Sequence, residues 1–189
     1  MDIKYIDSLA TVFVGLLALL TYWLTKRHEK QNAAAIIIMD IRHAEQVVLS
    51  LVERGSVDRN LKPILHENNW AKYKHLFASR FSYDDLAILN RFFDSCVEIA
   101  EARKRMNESF YASINAKASL IQEKIHAIKD LDSPTGLETK NALIKRFNNE
   151  TYFFDPIDPK NIILQNLQLM GQPSSSPAFE KLKHIAKIG

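Results

Sequence analysis

SLATVFVGLLALLTYWLTKRHEKQNAAAIIIMDIRHAEQVVLSLVERG, residues 8–55, is the stretch that decides the fold. From Ser8 to Thr25 it carries no charged side chain. At about 1.5 Å per residue that run rises roughly 27 Å, close to the ~30 Å of a bilayer's hydrocarbon core. The second part carries a helical stripe: Ala34, Ile37, Ile41, Ala44, Val48 and Leu51 recur at spacings of three and four. Ile38, Val47 and Val52 widen it beyond a two-stranded seam, which suits the core of a helix bundle. Neither proline nor a turn signal lies between Tyr22 and the stripe, so the first segment is expected to continue into the second as one stalk, with Ile37, Ile41 and Val48 packing it.

The flanks of the apolar run give it a direction. Tyr22 and Trp23 stand where an interfacial aromatic belt is expected, and Lys26, Arg27 and Lys30 follow, against Lys4 before it. The expectation is a single membrane span with the N-terminus outside and the remainder in the cytoplasm. A secretory signal would need a basic start and a small-residue cleavage site, whereas this start holds Asp2, Lys4 and Asp7. A buried core helix is the other reading of such a run. Ser8, Thr11, Gly15, Ala18 and Tyr22 fall on one helix face, and small residues let helices approach closely. That face is the expected oligomer interface or pore lining. A plain anchor with inert small residues is the alternative.

Composition bounds the rest. Of 189 residues, 47% are hydrophobic and 25% charged, as in an ordinary globular chain. Cys96 is the single cysteine, which excludes an internal disulfide and a multi-thiolate metal site. It neighbours Phe92, Phe93, Ile99 and Ala100 on a helical pattern and reads as a buried thiol. The net charge of +3 is too small to imply nucleic-acid binding, and no DNA partner is expected. Three parts follow: an anchor over 1–28, a helical bundle over 29–170, and a linker with a C-terminal amphipathic helix over 171–189. Within the bundle, Ser82 and Asp85 make a capping box for a long helix running to about Lys129, with a break expected near Met106–Ser109. Asp132, Pro134 and Gly136 mark the next turn, and Asp158-Pro159 opens a further helix. The last helix, AFEKLKHIAKIG, could lie on a membrane, on a neighbouring copy or on its own domain.

No motif of strong chemical meaning is present: neither a phosphate-cradling glycine loop, nor His-Glu-x-x-His, nor Gly-x-Ser-x-Gly. No metal or cofactor is expected. Glu123-x-x-His126 lacks the second copy that a two-metal site needs. Arg59 and His66, with six residues between them in RNLKPILH, are the candidate catalytic pair. Such an arginine could hold a phosphate while the histidine exchanges protons with an RNA oxygen.

An acidic start, one span, a basic exit, a stalk, a helical body and an Arg…His pair occur here in that order. This layout resembles the small membrane accessory proteins encoded beside the RNA-guided RNase of type VI-B CRISPR systems. The resemblance implies a HEPN-like all-α domain on a transmembrane helix in the bacterial inner membrane. It also implies a homo-oligomer of six or more copies that permeabilises or depolarises the bilayer in antiviral defence, with the RNase or its RNA as further partners. Arg59 and His66 match the HEPN pattern, with Pro63 between them. Two alternatives remain: a membrane-tethered HEPN ribonuclease, and a non-catalytic tether for a partner protein.

Overall fold

The computed structural model describes residues 3–54, 56–57, 61–149 and 157–188, with side chains described from Val12 onward. Among these residues the chain is all-helical, with no strand. Helix α1 (Ile3–Arg54) is unbroken over 52 residues and so runs about 78 Å. It is followed by α2 (Asn69–Tyr73) with a 3-10 turn, α3 (Tyr83–His126), α4 (Pro134–Asn149), α5 (Ile157–Leu169) and, after a second 3-10 turn, α6 (Pro177–Ala186). The expected continuity of the apolar segment with the stripe is therefore present as a single helix.

The expected membrane anchor is not. Among the described residues no helix is long and apolar enough to cross a membrane. The reading as a single-pass protein of a bacterial inner membrane, N-terminus outside, is thereby overturned. The side chains of Ser8 and Thr11 lie outside the described residues, as do Arg59 and the charged start.

The core forms where the stripe of α1 meets the other helices. Ala34, Ile37, Ile41 and Ala44 are fully buried, Leu51 is nearly so, and Val48 packs at the edge. These side chains pack within their own chain, chiefly against α6 and α2, while α5 lies along α3. Trp70 sits at the centre of an aromatic stack with Phe77, Phe81 and Phe93, ring centroids 6.0–6.5 Å away. Its indole N–H donates to Asn90 Oδ1 at 2.8 Å, so burying the ring leaves no orphan donor. Ser82 caps α3 with the full capping box expected from sequence.

Helix α3 has no break near Met106: it runs 44 residues without interruption. What changes there is burial. Met106 is the last buried residue of the helix, and beyond it α3 leaves the core and meets α4. The thinning of apolar residues marked the edge of the core, which does not oblige a helix to end. The α3–α4 turn depends on Gly136, where a Cβ would lie 2.3 Å from the Asp130 carbonyl oxygen. Helix α6 is capped by Ser176, opened by Pro177, and buries Ala178, Phe179 and Leu182 against its own chain. Of its three possible partners, the structure selects the chain's own body.

Candidate functional site

Two places hold the residues singled out by sequence. The first surrounds His66. The loop that carries it is pinned at both ends of a short stretch: Leu61 and Ile64 are buried, and Arg103 Nε of α3 donates to the Leu61 carbonyl at 2.5 Å. His43 of α1 is paired with the Pro63 carbonyl at 3.0 Å through Nε2. His43 also stacks on the His66 ring, centroids 5.4 Å apart and planes 25° off parallel. One turn earlier on α1, Asp40 accepts a 3.0 Å hydrogen bond from Asn69 Nδ2. Burial pushes the Asp40 carboxyl above its ordinary pKa, against the Asn69 hydrogen bond and the nearby histidines.

Chemically this group could relay protons, since two imidazoles and a shifted carboxylate share one surface. Its visible use is mechanical. His43 spends its Nε2 on a backbone carbonyl and its face on His66, which fastens the loop to α1. Arg59, the expected phosphate-holding partner, lies outside the described residues, so the pair's geometry is not part of this picture. Asp40, His43 and Asn69 were not anticipated. A signal existed in Asp40 and His43, three apart on the stalk helix, but nothing in sequence couples them to a loop two dozen residues on.

The other sequence candidates stay apart. His126 pairs with Gln122 at 3.2 Å, and no group of three His, Cys, Asp or Glu side chains that could hold a metal exists among the described residues. Cys96 is fully buried, and burial with the nearby Asp40 charge pushes its thiol up to about 12. Lys72 lies over the Tyr73 ring at 5.1 Å, a local cation–π contact.

The second place is the arm, the part of α1 that precedes the core. Every large apolar side chain from Val12 to Leu24 is exposed, from 39% at Leu24 to 67% at Leu19. Successive residues advance about 100° around a helix, so Leu16, Leu17, Val14, Tyr22 and Leu19 fall at roughly 0°, 100°, 160°, 240° and 300° and place apolar or aromatic surface on every side. A Cβ added at Gly15 would meet nothing within 4 Å, so the Gly15–Ala18–Tyr22 face is open to a neighbour. Thr21 and Thr25 turn their hydroxyls back to the carbonyls of Leu17 and Thr21, at 2.8 and 2.9 Å, which removes most polar character from the arm. The arm is thus a short rod, apolar all round, projecting from a packed helical body. Set beside family models, characterised proteins and solved structures, the chain matches none.

Proposed function

We propose that this chain is a self-assembling interaction protein in which the arms of several copies pack together and hold their helical bodies side by side. The observation that carries the reading is apolar exposure on every side of the arm between Val12 and Leu24. That surface is on the order of 1,000 Å², beyond the ~300–600 Å² of the largest patch on a typical monomer. At ~25 cal/mol per Å² its full burial is worth on the order of 25 kcal/mol gross, against the ~4–15 kcal/mol that lost rigid-body freedom costs before side-chain ordering.

A second copy is the occupant that fits best, because the surface is self-complementary. It has no charge to specify an acidic or basic partner, and it has a small-residue face at Gly15 and Ala18 for close approach. A two-fold pair would cover one side of each rod and leave the other in water. Apolar surface on all sides therefore favours more than two copies. A HEPN-like character for the body, and an antiviral role beside an RNA-guided RNase, are proposals resting on the order and size of the features. Permeabilisation of a membrane would need a crossing segment and is not carried forward.

Disulfide trapping tests the assembly. Cys96 is buried and contributes little background, so Ala18→Cys supplies the single reactive thiol of the full-length chain. Mild oxidation should give covalent dimers at least ten-fold faster than Asn115→Cys, which is exposed on α3 away from the arm. Equal, slow rates at positions 18 and 115 would reject packing between arms.

A further inference from the structure

At the base of the arm, α1 and α6 enclose a cleft of about 760 Å³. Its walls carry Lys26, Arg27 and Lys30 from α1, Arg80 from the turn before α3, and Lys183 and Lys187 from the end of α6, with His184 beside them. Among the described residues no carboxylate lines it. Glu29 and Glu180 hold Lys26 and Lys183 at 2.8 and 2.9 Å. Arg27, Lys30, Arg80 and Lys187 have no carboxylate partner among the described residues. Four cations from three separate elements thus converge on one concave space, in a chain whose whole net charge is +3.

A solvated basic face is usually convex and interspersed with acids, because like charges repel by about 1 kcal/mol at 4 Å even in water. Here the repulsion is held in place by packing: Phe179 and Leu182 seat α6 on the core, and Lys187 closes that helix in the left-handed conformation. Gln31 adds one amide, and the rest of the wall is apolar. Ile185 of α6 and Ile188 just beyond it form one side, and the Trp23 ring lines the cleft too, with the Arg27 guanidinium 5.4 Å from its centroid.

We infer that this cleft binds a phosphate group carried next to an apolar moiety. Arg27 and Arg80 offer planar forks suited to phosphate oxygens, and Lys30 and Lys187 add point charges. Trp23, Ile185 and Ile188 take the apolar part. The phosphate could be that of a free small molecule or of a lipid headgroup; the recognition chemistry is the same, and the sources are separated by experiment. Asp85 and Lys181, also on α3 and α6, pair with each other outside the cleft and do not neutralise it.

Trp23 reports the site directly, since the other tryptophan, Trp70, is buried at 2% exposure. Full-length protein in nonionic detergent would be titrated by fluorescence with hexyl phosphate, with short-chain phosphatidylglycerol and with short-chain phosphatidylcholine, and Trp23→Phe gives the blank. The expected result is saturable binding of at least one of the two anions, weakened at least ten-fold by Lys30→Gln with Arg80→Gln, retained by Lys30→Arg with Arg80→Lys, and falling with salt. Binding of hexyl phosphate assigns the site to free organic phosphates; binding of phosphatidylglycerol alone assigns it to lipid phosphate. No saturable response to either anion would overturn the inference. So would equal responses to the anionic and zwitterionic lipids, or indifference to the glutamine pair in a variant with unchanged thermal unfolding.

Discussion

Lys181 of α6 donates a hydrogen bond to the carboxylate of Asp85 in the first turn of α3, joining two helices 96 residues apart. Asp85 is 4% exposed, and the same carboxylate accepts from the backbone N–H and hydroxyl of Ser82, each at 2.8 Å. One side chain therefore completes a helix cap and anchors α6 to the core. Burial alone would raise the Asp85 pKa. The hydrogen bonds from Lys181 and Ser82 outweigh it, so the group sits below the ordinary carboxylate value.

Asp85→Asn should therefore destabilise the body by about 1–2 kcal/mol at neutral pH, because it weakens a helix cap and a charge-assisted hydrogen bond whose lysine is partly in water. Because the folded pKa is depressed, the charge-dependent part of this stability is present above the unfolded pKa near 4. It is lost as pH falls through the lower, folded pKa. Urea denaturation of wild type and variant should show a gap at pH 7 that narrows in acid. A gap independent of pH would show that Asp85 acts without its charge.

Core and arm should respond oppositely. Ile37 is fully buried, so Ile37→Ala should cost about 2–5 kcal/mol in unfolding of the body. Leu16 is 60% exposed, so Leu16→Ser should leave body stability within about 0.5 kcal/mol. Light scattering should nevertheless show weaker association for Leu16→Ser, and comparable unfolding losses at both positions would contradict the division.

The α3–α4 turn has no room for a side chain at Gly136. Gly136→Ala must displace the Asp130 carbonyl from a 2.3 Å clash, at a cost of about 1–3 kcal/mol. Helix α4 touches only α3 closely among the described helices, so amide exchange should speed up in α4 more than in α1. Uniform acceleration would mean that the turn is part of the global unit.

Cys96 should ignore thiol reagents in the native state. Its thiol is buried and pushed up to about 12, so almost no thiolate exists at pH 8. Labelling with a chromogenic disulfide should follow the unfolding curve in urea; rapid labelling without denaturant would show an opening that the packing does not contain.

The stripe from Ala34 to Leu51 was legible because a core-facing helix must repeat its apolar residues every three to four positions, and the structure buries that face. The Ser82–Asp85 cap and the buried state of Cys96 were legible for equally local reasons. The apolar run at 8–25 was read as a span from its lack of charge, its length and the aromatic and basic residues at its exit. Among the described residues no helix is long and apolar enough to cross a membrane, and the large apolar side chains from Val12 to Leu24 form an exposed arm. The Asp40–Asn69 and His43–His66 contacts, the Asp85–Lys181 pair and the basic cleft join residues distant in sequence. No periodicity encodes such pairings, because helix packing alone brings them together.

The central claim is that arms of several copies bury one another. Mass photometry of the full-length chain in mild nonionic detergent, beside Gly15→Leu with Ala18→Leu, reads it most directly. A discrete particle of more than two copies that dissociates in the double variant, with the helical circular dichroism unchanged, is the predicted result. One chain per particle in the wild type would contradict it.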